Sequence, residues 1–496
     1  MTAGLHDLLV IGGGINGAGI ARDAAGRGLD VLMVERDDLA RATSSASSKL
    51  IHGGLRYLEL YEFRLVREAL AERETLLAMA PHIIWPLAFV LPHVPSLRPA
   101  WMIRAGLFLY DHLGGRKRLP GSRAVDLARE PLGAGLRDDL KKGFVYSDCW
   151  VDDARLVALN ARDAADRGAQ VMTRTECISA RRHGDHWQAV LRDRRTGAET
   201  TVAARILVNA AGPWAATVAG GVMGDNRVRP LRLVKGSHIV VPRVHDGDHA
   251  LILQNDDRRV VFVIPYEGAF SLIGTTDVQV EGDPSDPQAS ADEIDYLCAA
   301  ASHFLAKRVT SADVVWTYSG IRPLYDDGSA NPSAVTRDYT LVLDAPAGAA
   351  PALHCYGGKI TTYRRLAEHA IAKLAPALPG LARAWTAGAP LPGGDMPDAN
   401  FGRFAADLAR RHPGLRPAAL GAIARRHGTR ADALIGDART EGDMGPWFGA
   451  LSAREIDWLR RTEWAETGDD VLWRRTKVGL HLDAGQRDAV ARHMAA

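Results

Sequence analysis

The feature that most constrains this chain is a glycine-rich turn near its N-terminus, between an apolar run and a helical pattern. Gly12, Gly14 and Gly17 form the spacing G-x-G-x-x-G directly after the buried strand predicted over residues 7–11. In this spacing, the first glycine permits a tight turn, the second lets the backbone approach a pyrophosphate, and the third allows close helix–strand packing. The helix predicted over residues 16–28 then directs its free N–H groups at an anion. We therefore expect a βαβ unit that binds a dinucleotide.

Glu35 ends the second predicted strand, residues 30–35. A carboxylate there accepts hydrogen bonds from a ribose diol and repels a 2′-phosphate, which disfavours NADP; NAD and FAD both remain open. The hydroxyl-rich segment 43–49 runs into the turn His52-Gly-Gly54, and a second glycine-rich loop, residues 357–362, precedes another helix. Both segments suit close contact with phosphates and a flavin, although an ordinary loop and an N-cap are the alternatives.

Composition excludes several classes of protein. The 496 residues, 47% hydrophobic and 24% charged, are typical of a soluble globular protein of several domains. A net charge of +2 does not indicate a nucleic-acid partner. The four widely spaced cysteines indicate neither a disulfide framework nor a zinc site, and fit a reducing cytosolic setting. Neither H-E-x-x-H nor G-x-S-x-G occurs, so we predict no metal and no hydrolytic triad.

No apolar run approaches the ~18 residues of a membrane-spanning helix, and the stretch 83–94 is interrupted by two prolines. No secretory signal is evident, so the chain is expected to stay on the side of the membrane where it is made. Segments 101–104, 108–110 and 116–118 combine aromatic and basic residues. They suit the lipid headgroup region, or equally a helix with a solvated end.

Periodicity predicts the remaining elements. Helices are expected at 63–80 and 153–168, and strands at 169–173, 187–191, 200–202, 204–209, 237–241 and 259–264. Strands 187–191 and 200–202 should form a hairpin with its turn at residues 195–197. Residues 375–399 are rich in Pro, Gly and Ala, which predicts a linker. The chain beyond this linker is predicted to form a helical domain. Trp447, Trp458, Trp464 and Trp473 are expected to make core or dimer contacts there.

Seven longer segments make a more specific set. They are SSASSKLIHGGLRY (44–57), LVKGSH (233–238), SGIRPL (319–324), TRDY (336–339), YGGKITTY (356–363), EWAET (463–467) and LWRRTK (472–477). This set resembles the FAD-dependent glycerol-3-phosphate dehydrogenases of the bacterial aerobic, respiratory type. The resemblance covers essentially the whole chain, in the same order.

The resemblance implies an α/β fold: a glutathione-reductase-like FAD-binding Rossmann domain, interrupted by a mixed-sheet substrate domain and followed by a helical C-terminal domain. The implied FAD-binding domain comprises residues 1–80, 150–225 and 310–385; the substrate-binding domain comprises 81–149 and 226–309; the helical domain comprises 386–496.

The implied activity is oxidation of sn-glycerol 3-phosphate to dihydroxyacetone phosphate by hydride transfer from C2 to N5 of FAD. The electrons then pass to ubiquinone or another membrane quinone. Relatives of this type are peripheral, monotopic proteins on the cytoplasmic face of the inner membrane, where they meet an anionic membrane surface, and they are commonly homodimers.

The resemblance also implies site residues. The FAD-binding set is Gly12, Gly14, Gly17, Glu35, Thr43, Ser44, Ser48, Lys49, His52, Cys177, Ala211, Gly212, Trp214, Arg322, Gly358, Lys359 and Thr361. The substrate-binding set is Arg56, Tyr57, His238, Arg322, Arg337 and Lys359. Arginine suits a phosphate because its planar fork binds two oxygens and keeps its proton. Without the resemblance, we would interpret each of these cations as a surface or salt-bridge residue. Arg322 is the exception, because Gly320 and Pro323 are expected to hold it in a turn.

Alcohol oxidation also needs a base with a pKa near neutrality, for which histidine is suited. His238 is the preferred base and His52 its rival; either could instead be a packed imidazole bonded to a carbonyl. Arg322 or Lys359 could stabilise the developing alkoxide. The predicted catalytic residues are therefore His238, His52 and Arg322.

Three alternatives remain open. A glycerol-3-phosphate oxidase would pass electrons to O2 and give H2O2, but such enzymes typically carry an insertion for which this chain is too short. A flavin-dependent amine or amino-acid oxidase would not need the set of cations. A non-enzymatic flavin-binding interaction module is disfavoured by the near-zero net charge and the lack of a basic, aromatic-interleaved tract.

Overall fold

The computed structural model describes residues 4–94, 99–115, 117–225, 231–257, 259–325 and 338–495. Two residues named above, Arg337 and Arg116, lie outside these ranges. The strands are β1 (Leu5–Ile11), β2 (Val31–Val34), β3 (Leu50–Ile51), β4 (Ile84–Pro92), β5 (Arg123–Asp126), β6 (Lys142–Val151), β7 (Gln170–Met172), β8 (Thr175–His183), β9 (His186–Asp193), β10 (Glu199–Asn209), β11 (Leu231–Pro242), β12 (Ala250–Gln254), β13 (Val260–Tyr266), β14 (Phe270–Gly274), β15 (Val278–Val280), β16 (Trp316–Tyr325), β17 (Thr340–Asp344), β18 (Ala352–Tyr356), β19 (Trp447–Phe448) and β20 (Leu451–Ser452). The helices are α1 (Ile15–Gly26), α2 (Phe63–Met79), α3 (Ala100–Leu113), α4 (Asp153–Asp166), α5 (Ala215–Thr217), α6 (Ala291–Ser302), α7 (Tyr363–Leu374), α8 (Phe401–Arg411), α9 (Pro417–His427), α10 (Ala431–Ile435), α11 (Ala453–Glu463) and α12 (Ala484–Ala495).

The first sheet has the strand order β17-β18-β10-β1-β2-β7, and its central strands β18, β10, β1, β2 and β7 run parallel. Its middle strands are almost wholly apolar, as strands covered on both faces must be. Helices α1, α4 and α7 cover one face, and the antiparallel strands β8 and β9 continue from β10 to cover the other. The predicted α/β class and the βαβ opening are confirmed.

The predicted hairpin is also confirmed, with one correction. Residues 200–202 and 204–209 form the single strand β10 rather than two strands. The first half of β10 pairs antiparallel with β9 and the second half pairs parallel with β1, so one strand serves both partners. A change of partner, not a break in the chain, separates the two apolar stretches.

The second sheet is mixed and has ten strands. Its main order is β15-β11-β14-β13-β12-β4-β6-β3, with β16 paired to β11 and β5 paired to β6. Helix α6 packs on one face, while α2 and α3 pack on the other beside several aromatic side chains. The predicted strands 237–241 and 259–264 lie inside β11 and β13. The domain boundaries remain a prediction; β3 and β16 of this sheet lie in segments assigned to the FAD-binding domain.

Arg322 does not lie in a turn, as Gly320 and Pro323 had suggested. It lies in β16, which pairs antiparallel with β11 so that Arg322 faces Val234 in the register. The pairing runs along the whole of β16, and this long-range partner overrides the local glycine and proline signals.

Residues 375–399 are not a free linker. Arg22 of α1 donates to the carbonyls of Ala389 and Pro390, and its guanidinium lies over the ring of Trp385. Leu391 is buried in the core beneath the first sheet. The segment therefore packs against the first sheet's helices before the helical region α8–α12 begins. The four C-terminal tryptophans pack against the cores there, as expected.

Candidate active site

The turn between β1 and α1 is shaped for a close backbone approach. Gly12 has φ +115°, and a Cβ at this position would lie 2.5 Å from the carbonyl oxygen of Ala210. A Cβ at Gly17 would collide with the carbonyl of Gly12. The first N–H of α1, that of Ile15, donates to Oγ of Ser44, and the N-cap residue Gly14 has no side chain to satisfy the N–H groups that follow. The helix N-terminus is thus built to receive an anion.

Glu35 lies beside this turn, at the end of β2. Its Oε2 accepts the N–H of Gly13 at 2.7 Å and its Oε1 accepts the N–H of Asp37 at 2.8 Å. Burial raises the pKa of Glu35, and the two N–H donors oppose that rise. Both oxygens keep lone pairs for a ribose diol.

Four further residues of the predicted FAD-binding set, Trp214, Ala211, Gly212 and Cys177, lie on neighbouring elements. The ring of Trp214 stacks under the guanidinium of Arg36 at 4.2 Å. The N–H of Ala211 donates to Asn209, and Gly212 has φ +55°. Cys177 lies on β8, buried in the apolar cluster that also holds Ile11 and Val34. Burial raises the pKa of its thiol to about 12, so the sulfur is chemically quiet.

The segment 43–49 is fastened on several sides. Thr43 donates to the carbonyl of Ile321 at 2.6 Å, and Ser44 accepts the N–H of Ile15 at 3.0 Å. Lys49 is buried, and its ammonium lies 2.8 Å from Asp153. The ammonium holds the loop onto the first turn of α4, and the assignment of Lys49 to the FAD-binding set remains a prediction.

His238, on β11, lies at the junction of this segment and the second sheet. Its Nε2 is 2.9 Å from Oγ of Ser48, and its ring stacks on Tyr318 with centroids 4.8 Å apart. A side chain at Gly274 would overlap the imidazole. Within the described residues, Nδ1 is buried with no hydrogen-bond partner. Burial, together with Lys49 and Arg322, lowers the pKa of His238 to about 3, so the ring is neutral.

His52 lies in the turn that follows β3. Its backbone N–H donates to Oγ1 of Thr361 at 3.2 Å, which ties the turn to the second glycine-rich loop. Burial and the charges of Lys359 and Arg73 lower the pKa of His52 to about 4. Both candidate bases are therefore neutral at physiological pH, but burial places their pKa values well below the near-neutral value expected of the base.

The predicted cations fall into two groups. Arg322 lies 2.6 Å from Asp277 and donates to the carbonyl of Thr276 at 2.8 Å. The ammonium of Lys359 lies 3.7 Å above the ring of Tyr57, while the side chain of Arg56 is exposed. Arg322 acts on the pKa of His238 and Lys359 on that of His52, so each candidate base has a cation beside it.

Comparisons with known proteins identify the family. The family model "FAD dependent oxidoreductase" matches residues 7–364. The chain belongs to the FAD-dependent oxidoreductases. The aerobic glycerol-3-phosphate dehydrogenase of Escherichia coli is 53% identical over 98% of this chain and 96% of its own length. A D-erythritol 1-phosphate dehydrogenase of Brucella abortus is 52% identical over 97% and 96%.

A solved structure agrees with these relatives. The oxidoreductase superimposes on a glycerol-3-phosphate dehydrogenase from Bacillus halodurans complexed with FAD, with a TM-score of 0.79 and 29% identity, covering 100% of this chain and 91% of that one. The resemblance stated from the motifs and the expectation of FAD are confirmed.

The residues present fit FAD. The N-terminus of α1 and its glycine cradle would hold the pyrophosphate, and Glu35 would hold a ribose diol. The flavin end would fall to the segments 43–54 and 358–361, which the bond from His52 to Thr361 joins. Bound FAD supplies the oxidoreductase with a two-electron acceptor.

Sequence reasoning missed several residues that shape this site. Asp153 anchors Lys49 and also accepts from Ser47; Tyr318 stacks on His238 and donates to the carbonyl of Ser47. Tyr110 accepts the N–H of Gly53. In the sequence, Asp152 and Asp153 at the start of α4 are a recognisable N-cap signal. No local sequence pattern marks Tyr110 or Tyr318.

Proposed function

We propose that this oxidoreductase converts sn-glycerol 3-phosphate to dihydroxyacetone phosphate and passes the electrons from reduced FAD to a membrane quinone. The observation that carries the proposal is the buried imidazole of His238, held by Ser48 and by the ring of Tyr318 on β16, the strand that also carries Arg322, in a FAD-dependent fold. Two curated relatives at 52–53% identity carry the name glycerol-3-phosphate dehydrogenase.

The phosphate of the substrate brings nearly two negative charges at neutral pH. Arg322, Lys359 and Arg56 supply cations on three different segments, and Arg337, outside the described residues, would add a fourth. Arg322 is the most firmly placed of the described cations, because Asp277 and the carbonyl of Thr276 hold two of its nitrogens. Its planar fork suits the phosphate oxygens.

The substrate hydroxyl loses its proton while the hydrogen on C2 leaves with its electron pair. In our proposal Nδ1 of His238 takes the proton, because Nε2 is already engaged by Ser48 and Nδ1 has no partner among the described residues. A ring fixed by Ser48 and by stacking on Tyr318 presents one nitrogen in one orientation. His52 remains the rival base.

The quinone acceptor is part of the same proposal, and oxygen is its alternative. The relative from Escherichia coli is named an aerobic dehydrogenase. An L-α-glycerophosphate oxidase from Mycoplasma pneumoniae shares the fold at 16% identity and a TM-score of 0.58, which says nothing about the acceptor.

Attachment to an anionic membrane surface is proposed for helix α3. Trp101, Met102, Phe108 and Leu109 of this helix are exposed, and so are Tyr61 and Phe63 of the neighbouring segment. Arg104, Lys117 and Arg118 place basic groups on and beyond the helix. Exposed aromatics with adjacent cations suit a headgroup layer. No described helix has the length and apolarity to cross a bilayer.

The proposed location on the cytoplasmic face of the inner membrane and the proposed homodimer rest on the family resemblance.

Flotation of the purified protein with anionic liposomes tests the proposed membrane-contacting surface of α3, and Trp101→Ser with Phe108→Ser should abolish flotation. Val315→Ser, at an exposed apolar residue just before β16, is the matched control. Flotation unchanged by the double substitution would contradict the placement.

Steady-state turnover with a soluble ubiquinone analogue tests the activity. We expect turnover with sn-glycerol 3-phosphate and at least tenfold lower kcat/KM with D-erythritol 1-phosphate. A higher kcat/KM with D-erythritol 1-phosphate would identify that compound as the better substrate. A higher rate with O2 than with the quinone would identify O2 as the acceptor.

A further inference from the structure

A cavity separate from the candidate active site lies between the second sheet and the helical C-terminal region. It has a volume of about 590 Å3, within the range of small-molecule sites. Apolar side chains from β4 and β6, among them Trp85, Leu87 and Trp150, line its walls, and α9 closes it from the other side. None of its lining residues belongs to the predicted FAD or substrate set. We call it the C-terminal cavity.

His82 lines this cavity and is fully buried. Neither of its ring nitrogens has a hydrogen-bond partner within the described part of the chain. Burial, with Arg155, His427 and Arg425 nearby, lowers its pKa well below the ordinary value, so the ring is neutral. A neutral imidazole offers one donor and one acceptor, and buried polar groups are nearly always paired. His82 is enclosed by protein on all sides and adds a neutral ring, without a positive charge, to the wall of the cavity.

Arg425 of α9 brings a positive charge to the same cavity. Its guanidinium lies 4.4 Å from the ring of Trp85 and 3.6 Å from that of Phe401, so aromatic rings take up its faces. The guanidinium donates one long hydrogen bond, 3.4 Å, to the carbonyl of Pro81. No carboxylate of the described residues lies within ion-pair distance of it. The adjacent Arg426, by contrast, is held by both oxygens of Glu455.

The charges around the C-terminal cavity define the ligand. Arg155 and His427, which lie near His82, are each bonded to a glutamate, and burial lowers the pKa of His427 so that its ring is neutral. Of the arginines that line the cavity, Arg243 and Arg426 pair with Asp248 and Glu455, whereas Arg425 has no carboxylate at ion-pair distance within the described chain. The Arg425 guanidinium is therefore the group of the lining that suits a carboxylate ligand. Asp152, Asp248 and Glu267 also line it, and they disfavour a dianion such as a phosphate.

The C-terminal cavity lies far from the surface proposed to contact the membrane, so its ligand would come from the aqueous phase. His82 follows the C-terminal end of α2, whereas exposed Tyr61 and Phe63 lie at its N-terminal end. The helix has 17 residues, which at ~1.5 Å per residue separates the two ends by about 25 Å.

We propose that the C-terminal cavity binds an amphiphilic carboxylate, with a flat apolar body against Trp85, Leu87 and Trp150 and its carboxylate on the edge of the Arg425 guanidinium. The two aromatic rings occupy the faces of the guanidinium and leave its N–H edge for a bidentate acceptor.

Calorimetry on the FAD-loaded, full-length protein tests this site with 2-naphthoate as the probe and neutral 2-naphthalenemethanol as its uncharged counterpart. We expect one 2-naphthoate per chain and at least about tenfold weaker binding of the alcohol, the weight of one charge-assisted hydrogen bond. Saturating sn-glycerol 3-phosphate should leave binding unchanged, which separates this cavity from the substrate site whether or not that substrate is correct.

Three variants complete the test. Arg425→Gln should weaken 2-naphthoate binding at least about tenfold. Arg416→Gln, whose guanidinium lies over Trp447 and pairs with Glu441, is the matched control and should bind normally. Gly421→Trp should block binding while keeping Arg425, because a side chain there enters open space one helical turn away. No binding by the parent protein, or equal affinity in Arg425→Gln and Arg416→Gln, would overturn the proposal.

Discussion

The hydroxyl of Tyr110 donates to Asp148 at 2.7 Å, and the same oxygen accepts the backbone N–H of Gly53 at 2.8 Å. Asp148 is further held by Arg73 at 2.6 Å, and all of these groups are buried. Tyr110 lies on α3 and Gly53 follows His52. The helix proposed to meet the membrane is therefore hydrogen-bonded directly to the turn that carries a candidate base.

Tyr110→Phe should destabilise this turn. It leaves the N–H of Gly53 and one Asp148 bond unpaired, which should lower the free energy of unfolding by about 1–3 kcal/mol. We expect a kcat lower by about tenfold and an altered flavin absorbance spectrum, which general destabilisation would not produce. Tyr146→Phe is the control, since its ring packs on Tyr110 and, within the described residues, its hydroxyl bonds to neither Gly53 nor Asp148. Equal kcat and spectra in the two variants would contradict the positioning role.

Replacing each histidine separately tests the choice of base. His238→Gln should lower kcat by about 10²–10⁴-fold, the usual contribution of a general base, with FAD content unchanged. His52→Gln should cost less, because its ring packs edge-on to Phe262 and its backbone carries the link to Thr361. Rapid-reaction measurement of flavin reduction compares the two directly. A larger loss in His52→Gln would reverse the assignment.

The pH dependence follows from the lowered pKa values of His238, about 3, and His52, about 4. A histidine with a lowered pKa stays neutral as pH falls, and it loses its capacity to accept a proton only near that pKa. We therefore expect kcat/KM to stay level from pH 7 to about pH 5, once divided by the fraction of dianionic substrate, whose second pKa is about 6. A fall in the corrected kcat/KM centred on the ordinary histidine pKa would contradict the lowered pKa values of His238 and His52.

The Lys49–Asp153 pair should stabilise the protein even without FAD. Removing one partner of a buried ion pair typically costs 3–5 kcal/mol, so Lys49→Met and Asp153→Asn should both lower the Tm of FAD-free protein. The double substitution should lose less than the sum of the two. If Lys49→Met affected only the FAD-loaded form, its ammonium would be a cofactor ligand, as the sequence resemblance implied.

Local patterns predicted the local parts of this molecule. The glycine turn, α1 and Glu35 lie within one βαβ unit, so spacing alone was enough to predict them. Arg322 was misplaced because β16 takes its conformation from β11, some 85 residues away in the chain. The segment 375–399 was misread because its partner, Arg22, lies 367 residues from Ala389.

The network around Gly53 could not have been predicted by any such pattern. Tyr110 is 57 residues from Gly53 and 38 from Asp148, and none of the three stands in a recognisable motif with the others. The cations of the site were predicted only through the family resemblance. Their partners, such as Asp277 for Arg322, appear only once the second sheet is assembled.

Anaerobic titration of the FAD-loaded protein with sn-glycerol 3-phosphate tests the central claim most directly. We predict complete bleaching of the flavin absorbance by about one equivalent of substrate, with dihydroxyacetone phosphate as the product. Reoxidation should then be faster with a ubiquinone analogue than with O2. A flavin that stays oxidised with sn-glycerol 3-phosphate, yet bleaches with dithionite, would contradict the proposed function and leave only the FAD-dependent oxidoreductase fold.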